Sequence, residues 1–132
     1  MNSHAKWFLV LGGLNAAIAI ALGAAGTHVL KAQLALGDSA GWFATALQYH
    51  QYHALGLVLV GIAATLFPTS RWFALAGWLM FSGILLFSGN LYLLSLAGIQ
   101  ATRAAIPVGG VAFIAAWLSF AIGGMRLSSS GR

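Results

Sequence analysis

The sequence predicts an all-α membrane protein, a compact bundle of four transmembrane helices with a short interfacial segment between the first two. Of its 132 residues, 61% are hydrophobic and 5% are charged, whereas a soluble domain carries about 25% charged residues. Four apolar stretches each reach the roughly 20 residues that a helix needs to cross a bilayer. The composition therefore excludes a soluble globular domain and a disordered chain.

The four predicted spans follow one another in a single membrane domain over residues 1–132. They cover 7–27, 42–67, 72–97 and 104–125. Trp7, Trp42 and Trp72 begin three of the stretches, where interfacial indoles are common. Pro68 ends the second stretch in a tight turn, and Pro107 falls in the first turn of the fourth, where its missing N–H is harmless.

The connection between the first two spans is longer than a turn. Val29, Leu30 and Leu34 have the spacing of a short helix that lies on the membrane surface.

Small residues form ridges along the first span. Two ridges have i, i+4 spacing: Gly13, Ala17, Ala21 and Ala25, and Ala19, Gly23 and Thr27. Such ridges let helices approach closely in lipid. We expect the first ridge to pack inside the monomer, and a contact with another subunit is the alternative.

The net charge is +5, but the six Lys and Arg residues stand singly at or beyond the ends of the apolar stretches. This distribution argues against nucleic acid and favours membrane lipids as partners. Four of the cations fall on one side of the predicted bundle (Lys6, Arg71, Arg126 and Arg132) and two on the other (Lys31 and Arg103). The bias predicts an inner-membrane protein with both termini in the cytoplasm.

The chain has no cysteine and one acidic side chain, Asp38. It therefore has no thiol nucleophile, no disulfide and no carboxylate pair for acid–base chemistry. We accordingly predict that it is not an enzyme.

Polar residues of the first three spans, together with Pro107, Gly109 and Gly110 of the fourth, are predicted to meet in the outer third of the membrane. This candidate outer polar cluster contains His28, Tyr49, His53, Asn90 and Tyr92. We expect His53 to be its central residue, with a neutral ring that faces the bundle interior on the same helix face as Tyr49. From there it can reach the first helix near His28, or the third helix near Asn90 and Tyr92.

His50 and His53 share a helix face at i, i+3, a spacing that a metal could use with His28 as a third ligand. Haem, a quinone site and a proton relay are further alternatives. A hydrogen bond between helices is the favoured role, because no carboxylate or thiolate is near. We therefore predict no metal and no cofactor.

Four sequence strings resemble the domain-of-unknown-function 423 family, small bacterial inner-membrane proteins with mitochondrial relatives similar to transmembrane protein 256. In family order they are ALGAAGTHVL (21–30), ALQYHQYHALG (46–56), LFSGNLYLL (86–94) and IPVGGVAF (106–113). The resemblance covers nearly the whole chain and implies a four-span membrane protein of unassigned activity.

The family pattern falls on glycines, a proline and a few polar residues. These are Gly23, Gly26, His28, Tyr49, His53, Ser88, Gly89, Tyr92, Pro107, Gly109 and Gly110. The chain departs from the pattern at Thr27, where a small apolar residue is usual, and at Asn90, where serine is common. His50 is not part of the pattern, which weakens any metal site that includes it.

We expect a non-enzymatic accessory or self-assembling membrane component, in contact with lipids and with a second copy or another membrane protein. The alternative is a ligand- or cofactor-binding membrane protein that uses the cluster around His53.

Overall fold

The computed structural model describes residues 3–99 and 104–127, and every regular element within these ranges is a helix. The elements are α1 (Ser3–Thr27), α2 (Lys31–Leu34), α3 (Ser39–Leu66), α4 (Arg71–Gly83), α5 (Asn90–Ala97) and α6 (Ala105–Met125). A π-helical segment, Ile84–Gly89, joins α4 to α5 without a break. The predicted all-α class is confirmed, and α2 is the short helix expected between the first two spans.

Three helical segments in the described ranges are long and apolar enough to cross a membrane: Ser3–Thr27, Arg71–Ala97 and Ala105–Met125. α3 is longer than any of these, with 28 residues, but it is less apolar because its polar run 48–53 lowers its mean hydropathy. The predicted span of 42–67 matches a helix in the structure, and its crossing of the membrane stays a prediction.

α1 and α3 pack against each other with their backbones in close approach. A β-carbon on Gly12 would lie 2.9 Å from the backbone nitrogen of Val58, and one on Gly61 would lie 3.0 Å from that of Leu9. The pairs run in opposite chain directions, so the two helices are antiparallel. Glycine is needed at both positions because backbone atoms cannot move aside as a flexible side chain can.

Aromatic rings fill the space that other glycines leave open. A β-carbon on each of three glycines would lie within 2.7 Å of a ring from another helix: Gly77 against Phe8, Gly83 against Phe113, and Gly123 against Phe73. These three rings belong to one buried core that also contains Leu57, Val60 and Met80. The core therefore draws side chains from α1, α3, α4 and α6.

The prediction that Gly13, Ala17, Ala21 and Ala25 pack inside the monomer is wrong. The first three are exposed, and a β-carbon on Gly13 would meet no atom within 4 Å. α1 instead buries a neighbouring face: Ala5, Phe8, Gly12, Asn15 and Ala19. This rotation places the Phe8 ring in the buried core and the Asn15 amide against His50.

The start of α1, the start of α4 and the end of α6 lie at the same end of the bundle. The Nε1–H of Trp78 donates to Nδ1 of His4 at 3.2 Å, and the Arg126 guanidinium carbon lies 5.1 Å from the centroid of the Trp72 ring. Lys6, Arg71 and Arg126 therefore share this end. Lys31 and Asp38 lie at the other end, while Arg103 and Arg132 fall outside the described residues.

We expect Gly12→Ala to destabilise the bundle by about 1–3 kcal/mol, since the added methyl overpacks against the α3 backbone. Gly13→Ala is the matched control, and it is expected to be neutral or to stabilise by roughly 0.5–1 kcal/mol through helix propensity. Thermal unfolding of both variants in mild detergent measures the difference. Equal midpoints for the two variants would show that α1 is not packed as described.

Candidate functional site

Two histidines lie on the buried face of α3, one helical turn apart. His50 is 3% exposed and His53 is 5% exposed. A polar side chain in hydrocarbon is costly unless it finds hydrogen-bond partners inside the protein. The partners of these two rings therefore define the polar centre of the molecule.

His50 connects α3 to both α1 and α5. Its Nε2 lies 3.0 Å from Oδ1 of Asn15, and its Nδ1 lies 3.1 Å from the hydroxyl of Tyr92. Asn15 uses its Nδ2 to donate to the carbonyl of Leu11 at 2.8 Å, so its Oδ1 is the atom turned toward His50. An amide oxygen only accepts hydrogen bonds, so Nε2 of His50 carries the proton and Nδ1 accepts from Tyr92.

His53 has the opposite tautomer and points toward α6. Its Nδ1–H donates to the carbonyl of Tyr49 at 2.6 Å, and its Nε2 accepts from Nε1–H of Trp117 at 3.2 Å. The ring stacks on Phe113 with 3.5 Å between the centroids and 14° between the planes. The tautomer follows from the partners, because a carbonyl cannot donate and an indole N–H cannot accept.

All four ring nitrogens of His50 and His53 are thus engaged as neutral imidazoles. A metal ligand needs a free nitrogen lone pair, so binding at either ring would first have to displace Tyr92 or Trp117. Within residues 3–99 and 104–127, no three His, Cys, Asp or Glu side chains come together as a metal site. The arrangement is chemically suited to joining helices rather than to ligating an ion.

The structure brings together only part of the predicted outer polar cluster. Tyr49 lies on the face of His53, as expected, and its ring is 4.6 Å from that of Phe87. Tyr92 is in the network, but it binds His50 rather than His53. His53 is buried as predicted, yet the expectation that it reaches the first or third helix is wrong, because its second partner is Trp117 on α6.

His28 and Asn90 do not join the histidine network. His28 is exposed, one residue beyond the end of α1. Asn90 turns back on its own helix and donates from Nδ2 to the carbonyl of Leu86 at 2.9 Å. The predicted five-residue cluster is therefore wrong at these two positions.

Asn15 and Trp117 are network residues that the sequence reasoning missed. Asn15 is an amide in the middle of an otherwise apolar helix, and such a residue in a membrane span usually has a partner. Trp117 lies in the middle of α6 rather than at a helix end, where interfacial indoles are found. Both signals are visible in the sequence and could have marked these residues.

The π-helical segment Ile84–Gly89 lies beside this network. π-helical turns are rare and occur often at functional sites. In such a turn, each backbone N–H bonds to the carbonyl five residues earlier instead of four. Where the π segment ends and α5 begins, the side-chain amide of Asn90 donates to the carbonyl of Leu86. A β-carbon on Gly109 would lie 2.5 Å from the backbone nitrogen of Phe87, so α6 approaches the π segment at backbone distance.

Two buried polar atoms, one in the π segment and one directly after it, have no hydrogen-bond partner among the described residues. They are Oγ of Ser88, whose residue is fully buried, and Oδ1 of Asn90. Unpaired buried polar atoms are uncommon and mark either strain or a place where a small polar molecule binds. They are the one feature of the site that hydrogen bonding within the described chain does not explain.

Apolar helices around a buried polar network define an all-α integral membrane protein. The chain belongs to the family described as protein of unknown function (DUF423), whose model matches residues 22–110. The resemblance drawn from the four sequence strings is thereby confirmed.

Relatives match over almost their whole length. UPF0382 membrane protein YwdK of Bacillus subtilis is 43% identical over 121 residues, which are 92% of this chain and 98% of that protein. UPF0382 inner membrane protein YgdD of Escherichia coli K12 is 33% identical over 126 residues, 96% of this chain and 95% of that protein. No solved structure matches this chain.

We expect Tyr92→Phe to destabilise the bundle by about 1 kcal/mol, because Nδ1 of His50 loses its donor. Ser88→Ala removes a hydroxyl that has no partner in the described chain, so it is expected to leave stability unchanged or to raise it. Thermal unfolding in detergent compares the two. A loss of stability in Ser88→Ala equal to that in Tyr92→Phe would indicate that a water or ligand binds the serine hydroxyl.

His53→Ala is expected to cost about 2–4 kcal/mol, since it removes both a buried stacked ring and the partner of Trp117. His28→Ala is the matched control and should change stability by less than about 0.5 kcal/mol, as exposed sites do. Denaturation of the two proteins measures this contrast. A His53→Ala variant as stable as His28→Ala would refute the role assigned to the ring.

Proposed function

We propose that this protein is a four-span helical bundle without catalytic activity that assembles with copies of itself in the inner membrane, with both termini in the cytoplasm. The relatives carry names of membrane and inner-membrane proteins, which supports the location. The engaged ring nitrogens of His50 and His53 support a structural rather than a catalytic use of the buried polar residues.

The packing of α3 along α1 supports a fourth span. Near one end of the pair, a β-carbon on Gly26 would contact the ring of Phe43; near the other, one on Gly61 would contact Leu9. α1 is apolar and long enough to cross the membrane. A helix that lies antiparallel to it over this distance covers the same depth of the bilayer.

The main support for self-assembly comes from polar side chains on the face of α3 that points away from the bundle core. Gln48 and Gln51 are exposed, Tyr52 is 61% exposed, and Leu55 and Leu59 continue the same face. These residues turn away from the core, so in a four-span bundle they face the surroundings of the protein. The face is polar at one level and apolar along the rest.

The depth of Gln51 makes lipid a poor surrounding for its amide. It is nine residues from Trp42 and sixteen from Phe67, which is about 14 Å and 24 Å along the helix. An amide placed in hydrocarbon without a partner costs several kcal/mol. A side-chain amide both donates and accepts, so the same face of a second copy supplies the missing partners across a twofold axis.

The neighbouring surface leaves room for another helix. A groove of about 340 Å³ between α1 and α3 is lined by Ala16, Ile20, Gln51, Tyr52 and Leu55. The exposed small residues of α1 lie next to this groove, and small residues permit close helix approach in membranes. The exposure of Gly13, Ala17 and Ala21 supports the alternative role of this ridge, a contact with a second copy.

The charges at the two ends support the orientation. The end that holds the start of α1 and the end of α6 carries Lys6, Arg71 and Arg126, while the other described end carries Lys31 and Asp38. Cytoplasmic loops carry the excess of Lys and Arg, so the first end faces the cytoplasm.

Ligand binding is the second candidate, and the unpaired Oγ of Ser88 and Oδ1 of Asn90 favour it. These atoms could accept hydrogen bonds from a small polar molecule at the π-helical segment. Ligand binding at His50 or His53 is less favoured, because a ligand at either ring must break existing hydrogen bonds.

The chain has no cysteine, so a single introduced cysteine reports contacts between copies without background. We expect Gln51→Cys to form disulfide-linked dimers in oxidised membranes, because the same residue of a second copy lies opposite it. Ile114→Cys, on the exposed face of α6 and 63% exposed, is the matched control and should stay monomeric.

The double variant Gln48→Leu/Gln51→Leu should lower the dimer fraction in native mass measurements in mild detergent. Equal cross-linking of Gln51→Cys and Ile114→Cys, or a monomer mass for the parent protein under the same conditions, would contradict self-assembly through α3. A cross-linked product with a different mass would replace the second copy with another membrane protein.

A further inference from the structure

A cavity of about 600 Å³ lies at the end of the bundle where α3 ends, α4 begins and α6 ends. Its wall includes the turn 67–70, the first residues of α4 and the residues that follow α6. It is separate from the histidine network and from the groove between α1 and α3. Its lining combines cations, hydroxyls and apolar side chains.

Two guanidinium groups, one from the start of α4 and one from the residue after α6, lie near one indole in this wall. The Arg71 guanidinium carbon lies 5.6 Å from the centroid of the Trp72 ring, and that of Arg126 lies 5.1 Å from it. Cation–π contacts of this length orient a guanidinium over the ring. Arg71 begins α4 and Arg126 follows the last residue of α6, so the fold brings together two charges that are far apart in the sequence.

No acidic side chain can neutralise this pair. The chain has one acidic side chain, Asp38, which precedes α3, while the cavity lies where α3 ends. The helix between them has 28 residues, a length of about 42 Å. Anionic partners for Arg71 and Arg126 at this cavity must come from other groups, of which an oxyanion is the best geometric match for two guanidinium forks.

The position of the cavity indicates which oxyanion it meets. In the four-span arrangement of the proposed function, on which this step depends, the turn 67–70 lies at the level of the lipid headgroups. Trp72 lies at the same level, where indoles are enriched. The cavity also contains apolar side chains next to the cations: Leu66 is 67% exposed, Phe67 39% and Leu127 38%.

We propose that this cavity binds the phosphate of an anionic phospholipid. Arg71 and Arg126 bind the phosphate oxygens, the hydroxyls of Thr69 and Ser70 lie in the same wall, and an acyl chain runs along Leu66 and Phe67. An inorganic phosphate shares the charge of the headgroup but gains nothing from the apolar wall. The apolar side chains therefore favour the lipid over the free ion.

The test uses the whole protein in mild detergent, with phosphatidylglycerol, phosphatidylcholine or inorganic phosphate added. Native mass spectrometry counts the lipids retained, and the change in tryptophan fluorescence measures affinity. We expect retention of phosphatidylglycerol over phosphatidylcholine. Arg71→Gln/Arg126→Gln should weaken phosphatidylglycerol binding roughly 30-fold, about fivefold for each guanidinium near an anionic headgroup.

Lys6→Gln/Lys31→Gln is the matched control. It also removes two positive charges, but from positions outside the cavity, so this variant should still retain phosphatidylglycerol over phosphatidylcholine. Equal binding of the two lipids, or equal losses in the two double variants, would overturn the site. Binding of inorganic phosphate as tight as that of phosphatidylglycerol would overturn the lipid assignment. The single variants Arg71→Gln and Arg126→Gln decide the question if the double variant does not fold.

These readouts are independent of cross-linking through Gln51, so failure of the lipid site leaves self-assembly standing. Failure of self-assembly likewise leaves the lipid site standing, since a monomer can retain the lipid.

Discussion

A polar side chain inside a membrane protein must find its hydrogen-bond partners within the chain, because hydrocarbon offers none. The two imidazoles of α3 meet this requirement with partners on different helices. His50 binds Asn15 on α1 and Tyr92 on α5, whereas His53 binds Trp117 on α6. The rotation of α3 about its axis is therefore set by two rings that need partners on different neighbours, and the other helices are arranged around them.

The glycine contacts depend on that rotation. With the histidines turned inward, Gly56 and Gly61 of α3 face neighbouring helices, and a β-carbon on Gly56 would lie 2.8 Å from Sδ of Met80. The ring of Phe113 stacks on His53 and also covers Gly83, which joins the polar network to the apolar core. The opposite face of α3 keeps Gln51 outside, so one helix contains both satisfied and unsatisfied polar groups. In the proposed self-assembly, the exposed face that carries Gln51 is the surface that meets a second copy.

Much of the fold was accessible from the sequence. The all-α class, the helix positions and the short helix between α1 and α3 follow from apolar stretches, and these are local properties. The burial of His53 and its shared face with Tyr49 also followed from helical spacing. The partners did not follow, because a residue's position along a helix fixes its depth but not the neighbour that it faces. Depth alone predicts a place for His28 in the cluster, and its ring is exposed in the structure. Asn15 is marked in the sequence only by its isolation in an apolar helix.

What the sequence by itself determined is a membrane protein with long apolar helices and cations at or beyond their ends, since hydropathy and charge act residue by residue. The tertiary structure decided which ridge of α1 is buried, which ring nitrogen carries each proton, and where the π-helical segment lies. It also brought Arg71 and Arg126 to the same indole. These features depend on the relative rotation of helices that are distant in the chain, and that rotation comes from the joint packing of rings, glycines and hydrogen bonds rather than from any one segment.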